Sequence, residues 1–273
     1  MSDPNYDSTF YDYLDSDRSC SRDIPFLQKL QTNVVRTCGI DPSQDHSGCM
    51  TELANAGIYV LIDLMTPGFT LSTTNPVWND VLYDHYTSVV DAMHSYSNLL
   101  GFVIGDDAAN GIGTNASGPY VKAAVRDVKA HIRRKNYRTI PVGYVSSIYL
   151  RWPAVSTKGT VSDYLNCGNQ SETIDFWGLN MSPYGNISDY ANNIPSNYSV
   201  PIFMASYGSL SFFNGSVAFD RKGVFLYRPF SDISILFGAM SSIWSGGLIY
   251  QFMGQLGSRG YGKHQRLSIV AIS

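Results

Sequence analysis

Residues able to do chemistry gather at the ends of apolar runs in this chain. Asp106 and Asp107 close the run Leu99-Leu-Gly-Phe-Val-Ile-Gly105, and Asp63 closes Ile58-Tyr-Val-Leu-Ile62. Asn180 ends Asp175-Phe-Trp-Gly-Leu179, with Ser182 just beyond, while Ser206 and Tyr207 follow Val200-Pro-Ile-Phe-Met-Ala205. Arg36 and Cys38 end a run from Asn33, Tyr144 ends Ile140-Pro-Val-Gly143, and Tyr250 lies in Gly247-Leu-Ile-Tyr-Gln-Phe252. Carboxylates, an amide and phenols brought to one place suit a sugar, whose hydroxyls need bidentate polar partners and whose faces need flat apolar ones. An Asp in such a position also has a plainer use, capping the loop or helix that follows. Recurrence of the same plan in several segments favours the site.

Those runs are apolar on both faces, which predicts strands buried on both sides, as in a parallel sheet or barrel. Between them lie helical stretches. Asp23–Leu30 reads as a helix, Met50–Gly57 as one closed by glycine, and about Trp78 to Ser95 as a longer one. Pro119 opens another as a first-turn proline should, with a basic face of Lys122, Arg126, Lys129 and Arg133 that reads as a solvated helix surface rather than an anion site. Strands at Asn33–Cys38, Ile58–Asp63, Leu99–Gly105, Ile140–Tyr144, Asp175–Asn180, Val200–Ala205 and Gly247–Phe252 make seven. Strands alternating with helices predict the α/β class and a (β/α)8 TIM-type barrel, here one strand short. The site residues would then ring the C-terminal mouth, where such barrels do their chemistry. Without repeats, linkers or low-complexity stretches, residues 1–273 read as one domain.

Composition narrows the partners. A formal charge of −3 leaves no basic stripe for nucleic acid, and a hydrophobic content of 44% is ample for a core. No run approaches the roughly 20 apolar residues of a membrane span, and Met1-Ser-Asp-Pro4 does not open a signal peptide. The sequons at Asn115, Asn169, Asn186, Asn197 and Asn214 nonetheless point to the secretory pathway. Four cysteines, Cys20, Cys38, Cys49 and Cys167, allow three complete pairings, or none if all four are packed thiols.

Several stretches, in order along the chain, resemble the fungal cell-wall β-1,3-glucanosyltransferases, glycoside hydrolase family 72. They are Cys20-Ser-Arg-Asp-Ile-Pro-Phe-Leu27, Asn33-Val-Val-Arg36, Asp45-His-Ser-Gly-Cys49-Met50, Ile58-Tyr-Val-Leu-Ile-Asp-Leu64, Val121-Lys-Ala-Ala-Val-Arg-Asp-Val128, Lys135-Asn-Tyr-Arg-Thr-Ile-Pro-Val-Gly-Tyr144 and Trp244-Ser-Gly-Gly-Leu-Ile-Tyr250. The resemblance implies a retaining transglycosylase on a (β/α)8 barrel that splits a β-1,3-glucan chain and hands the piece to another. It implies export to the cell surface, with the membrane reached only through a lipid anchor, and no cofactor or metal. The signal peptide, the anchor and the family's first strand, expected before Asp3, are all missing from these residues. The expectation is therefore seven strands with an open seam where the first should pair.

Retaining chemistry needs two carboxyl groups about 5 Å apart, one a nucleophile and one an acid then base. The family's Gly-Asn-Glu motif stands here as Gly105-Asp-Asp107, which puts Asp107 at the acid/base position and Asp106 at its amide neighbour. Ser-Glu-Tyr-Gly stands as Ala205-Ser-Tyr-Gly208, which puts Ser206 at the nucleophile position. Asp107 is one methylene short, and Ser206 has neither carboxylate nor evident base. Two family tyrosines are Cys38 and Ser182, and a family cysteine pair reads Gly185 and Ser209. Asp63, Asp106, Asn180, Tyr207 and Tyr250 remain to bind sugar. By descent the chain reads as a β-1,3-glucanosyltransferase. By chemistry it reads as one that has lost turnover, a β-glucan-binding pseudoenzyme or a structural wall protein. The family's spacing also implies a disulfide between Cys20 and Cys49, with Cys38 and Cys167 outside any disulfide.

Overall fold

In the computed structural model the described residues are 12–15, 17–106, 117–147, 161–180, 198–207, 212–213, 216–217, 233–249 and 268–271. Eight strands close a barrel: β1 (Val34–Thr37), β2 (Tyr59–Asp63), β3 (Leu99–Asp106), β4 (Val142–Ser147), β5 (Trp177–Asn180), β6 (Ile202–Tyr207), β9 (Gly247–Ile249) and β10 (Ser268–Ala271). Two short strands, β7 (Phe212–Phe213) and β8 (Ser216–Val217), form a separate hairpin. The first seven barrel strands are the seven the sequence predicts, and they run parallel. The eighth corrects the expected open seam. β10 pairs antiparallel with β1 on one side and with β9 on the other, so the wall closes without a parallel first strand.

Alternation along each strand sorts side chains between two cores. Val34, Leu61, Val103, Val145, Ala205 and Leu248 fill the interior with Phe176 and Phe203. Their neighbours Val35, Val60, Ile62, Phe102, Tyr144, Leu179 and Met204 face outward into the larger core under the helices. Glycines make the interior possible. An added Cβ on Gly143 would lie 2.2 Å from two carbons of the Phe176 ring, and one on Gly101 only 2.8 Å from the Pro141 carbonyl oxygen.

Helices α1 (Asp17–Lys29), α2 (Ser47–Asn55), α3 (Asp80–Met93) and α4 (Gly118–Arg134) cover β1 to β4. In α3, Leu82, Tyr86, Val89, Val90 and Met93 recur every three or four residues and are buried, and Asn79 caps the start by accepting from the Leu82 N–H at 3.1 Å. α1 begins earlier than the sequence suggests and carries Pro25 inside it. Its Cys20 is disulfide-bonded to Cys49 of α2, with 5.5 Å between Cα atoms, closing a loop of 29 residues that in the chain-entropy model is worth about 3.6 kcal/mol. Neither Cys38 nor Cys167 is in a disulfide.

The basic face of α4 corrects another expectation. Lys122 and Lys129 are not merely solvated, because they grip the descent from α5 (Val161–Asn166) to β5. The Lys122 ammonium donates to the carbonyls of Tyr164 (2.9 Å) and Cys167 (2.7 Å). Lys129 donates to Gln170 O (2.8 Å), Thr173 O (2.9 Å) and the Asp175 carboxylate (2.7 Å), while Asp175 accepts from the Val142 N–H at 2.9 Å. Arg133 reaches Ser171 O. Arg126 and Arg133 keep the expected exposure, Arg126 paired with its neighbour Asp127.

Gly143→Ala is expected to lower stability by about 1–3 kcal/mol, since the new methyl would lie 2.2 Å from the Phe176 ring and force it to shift. Urea denaturation of the variant and of Gly143→Ala/Phe176→Leu measures it. The second change should recover part of the loss.

Candidate functional site

Above the apolar interior, at the C-terminal ends of the strands, lies a polar cluster. Arg36 and Asp63 are placed two residues beyond the inward-facing Val34 and Leu61, and so face inward too. Asp106 needs a further device, because simple alternation from Val103 would turn it outward. The pairing passes from Val103↔Gly143 to Asp106↔Val145, three residues on β3 against two on β4, and this bulge swings Asp106 into the mouth. A second bulge in β6, between the pairs Leu179↔Met204 and Asn180↔Ser206, sets Ser206 opposite Asn180.

The cluster is centred on Arg36, which is 4% exposed. Its Nε and Nη2 donate to the two oxygens of Asp63 at 2.7 and 2.8 Å, a bidentate fork, and Nη2 also donates to Asp106 Oδ2 at 2.9 Å. Asn180 Nδ2 donates to the other Asp106 oxygen at 2.6 Å. Both carboxylates are thereby fixed, in different ways. Asp63 has a 2% exposed side chain and spends both oxygens on Arg36, whereas the Asp106 side chain is 28% exposed. Asp106 is the carboxylate a ligand could touch, as an acceptor of hydrogen bonds.

Charge is what burial opposes here. Burial pushes the Asp63 carboxyl up to about 6, with Asp106 adding to the rise and Arg36 pulling against it. Burial likewise disfavours the Arg36 charge, but Asp63 and Asp106 together outweigh it and hold the guanidinium protonated. Tyr86 of α3 is pushed upward by burial and by the nearby Asp63 charge. Among the described residues its hydroxyl is buried without a hydrogen-bond partner.

Of the residues singled out from sequence, the structure unites Asp63, Asp106 and Asn180 at one place. Tyr207 lies elsewhere: it is 1% exposed, and its ring covers Gly247 beside Leu236 in the outer core. Ser206 is half-buried at the end of β6. Asp107, Ser182 and Tyr250 lie outside the described residues, as do Asn115, Asn186, Asn197 and Asn214. Asn169 is exposed, with its side-chain oxygen accepting from the Ser171 N–H at 3.0 Å. Sequence reasoning missed Arg36 as the hub. The signal was there, since an arginine within an apolar strand needs a carboxylate partner once buried. Among the described residues no group of His, Cys, Asp or Glu is arranged to hold a metal ion.

A family model described as glucanosyltransferase, of glycoside hydrolase family 72, matches residues 2–265. Protein EPD1 of Candida maltosa is 37% identical over 254 residues, 90% of this chain and 43% of that protein. The 1,3-beta-glucanosyltransferase GAS2 of Saccharomyces cerevisiae is 36% identical over 256 residues, 90% of this chain and 42% of its own length. A solved structure of the latter, in complex with laminaritriose and laminaritetraose, superposes with a TM-score of 0.77 at 35% identity, covering 91% of this chain and 55% of that one. The chain thus spans less than half the length of these curated relatives.

Two outcomes follow from the buried charges. Arg36→Ala leaves two carboxylates without their cation and should cost about 3–5 kcal/mol, read from chemical denaturation, with Arg36→Lys recovering little because an ammonium cannot fork. The second concerns pH. The Asp63 carboxyl titrates near 6 when folded against 3.8 ordinarily, so between those values the folded state keeps a proton that the unfolded state has lost. Its stabilisation is complete below about pH 4 and disappears as pH rises through 6, up to about 3 kcal/mol in all. The stability of wild type relative to Asp63→Asn should therefore decline from pH 4 to 7, and a flat difference would show that Asp63 does not titrate there.

Proposed function

Because the chain belongs to the glucanosyltransferase family, we propose that its barrel mouth binds β-1,3-glucan chains and does so without transferring them. The observation that carries this reading is the state of Asp106. The carboxylate is held on one side by Arg36 and on the other by Asn180, with an open face at the ends of the strands. That arrangement accepts hydrogen bonds from a sugar hydroxyl, and Asn180 offers its own carbonyl oxygen beside it. Asp63 acts through Arg36 as a positioning residue, and Tyr250 would supply a sugar platform.

Transfer asks for more. A retaining mechanism needs a carboxylate nucleophile to form the glycosyl-enzyme and a second carboxyl group to donate and recover a proton. Position 206 holds a serine on the strand that should carry the nucleophile. A hydroxyl becomes a nucleophile only beside a base, and its paired residue across the sheet is an amide, Asn180. Asp106 has one oxygen taken up by Arg36 at 2.9 Å and the other by Asn180 at 2.6 Å. Loss of a nucleophile ordinarily lowers a rate by several orders of magnitude, each worth about 1.4 kcal/mol of transition-state stabilisation. Asp107 takes the acid/base position with a side chain shorter than the family's glutamate.

The wider reading follows the family: a glycoprotein of the fungal cell surface or wall, tethered by a lipid anchor, with Asn169 among its glycan sites. In the structure Asn169 is exposed and its sequon forms a tight turn. No helix of the described residues is long and apolar enough to cross a membrane.

Incubation with a reduced laminari-oligosaccharide tests the proposal. Weak, saturable binding by calorimetry is expected, with no product longer than the donor. Longer products would overturn the claim of lost transfer, and absence of binding would overturn the claim of a glucan site. Asp107→Glu with Ser206→Glu should restore chain lengthening if the mouth is otherwise intact.

A further inference from the structure

We propose that Phe69, seated on His85 at the rim of the barrel beyond β2, is a stacking platform for a sugar ring of a β-1,3-glucan chain where it leaves the mouth, a role that rests on the reading of the mouth as a glucan site. The polar cluster runs sideways across the strand ends. From Asn180 of β5 it passes through Asp106 of β3 and Arg36 of β1 to Asp63, the last residue of β2. Phe69 lies on the loop that β2 feeds. Thr66 is three residues beyond Asp63, at most about 10 Å along the chain, and Phe69 pairs with Thr66 across a bridge about 5 Å wide. A glucan chain that lies on the cluster and continues outward over β2 reaches that ring within a few sugar units.

The ring is held from several directions. Pro67 and Gly68 form the corner of a tight turn: Gly68 has φ +88, and the Phe69 N–H donates to the Thr66 carbonyl at 2.8 Å. Thr66 is buried, with its hydroxyl 3.0 Å from His85 Nε2. The loop after β1 packs against the same turn, since an added Cβ on Gly39 would lie 2.7 Å from Thr66 Cγ2. The Phe69 and His85 rings stack with centroids 4.1 Å apart and planes 10° from parallel. Burial pushes the His85 imidazole below its ordinary value, outweighing Asp41 and the Leu64 backbone, so the ring is neutral at pH 7 and backs Phe69 as a flat aromatic surface. Phe69 is half-buried in a loop where Pro67, Gly68 and Thr70 are exposed, and His85 is its one ring partner among the described residues. The turn asks for proline and glycine, and sets no demand for phenylalanine at its end. A β-linked glucose presents axial C–H bonds on both faces, which suit the negative face of an aromatic ring. An aromatic ring already fixed in place loses little freedom when a ligand lands on it.

Calorimetric titration of the full chain with a ladder of laminari-oligosaccharides, from the disaccharide upward, separates this claim from the one beneath it. Wild-type affinity should step up at the length that first touches Phe69. Phe69→Leu keeps an apolar contact on His85 but lacks a flat ring. It should lose the step, roughly 5–10-fold on the longer members, and leave the shortest unchanged. Phe69→Trp should keep the step, and Asp106→Ala should weaken every length alike. A step that survives in Phe69→Leu, a loss spread equally over all lengths, or a wild-type affinity that does not grow with length would overturn the platform and leave the mouth reading in place. No binding of any length by wild type would overturn the mouth reading and the platform with it. Should Phe69→Leu fail to fold, the fluorescence of Phe69→Trp relative to wild type carries the test. It should shift with the long oligosaccharides and stay unchanged with the disaccharide, and the absence of any shift would overturn the platform.

Discussion

A buried guanidinium that two carboxylates must share governs the upper half of this barrel. Arg36 is 4% exposed, far from the water that would normally solvate its charge, and only ion pairs of good geometry make that burial tolerable. Asp63 meets the geometric demand with a bidentate fork, and Asp106 takes the remaining direction. Three strands, β1, β2 and β3, are thereby tied at their C-terminal ends by charge, while their lower halves are tied by the packing of Val34, Leu61 and Val103. The orientation of Asp106 is therefore set from beneath, through a residue that a ligand never touches. A carboxylate fixed in this way presents its remaining lone pairs as hydrogen-bond acceptors in one set direction.

Much of this was legible in the residues. Apolar runs ending in Arg36, Asp63, Asp106 and Asn180 placed all four cluster members at strand ends without marking Arg36 as their hub, and runs buried on both faces gave seven parallel strands in order. The reason is simple: a fully buried parallel strand has one sequence signature, and its C-terminal end has one place in a barrel. The alternation that identifies strands is less informative about individual directions. Bulges in β3 and β6 insert a residue that no pattern reveals, and they decide that Asp106 faces the mouth while Tyr207 turns into the outer core. Both tyrosine and aspartate read equally well as site residues in one dimension.

The seam shows a second limit of pattern reading. Ser268–Ala271 is a four-residue strand, too short for periodicity to separate it from any other apolar stretch, and it is the barrel's unmet pairing that selects it. Parallel strands on either side leave backbone groups that must be paired, and the hydrogen-bond ladder accepts a partner of either direction. Closure is thus a demand of the sheet, met by whichever segment can supply an extended backbone.

The grip of α4 on the descent to β5 has a different kind of consequence. Lys122 and Lys129 contact that segment mainly through its carbonyl oxygens, at Tyr164, Cys167, Gln170 and Thr173. Every amino acid carries the same carbonyl, so at Gln170 and Thr173 these contacts place almost no demand on the side chain, whereas at Tyr164 and Cys167 Lys122 also meets the ring and the Sγ. The information holding the segment in place is written almost wholly in the helix, seven residues apart. Drift can therefore be free along the exposed part of the descent and strict at two lysines that face it, an asymmetry in which the constrained residues are not those whose conformation they determine.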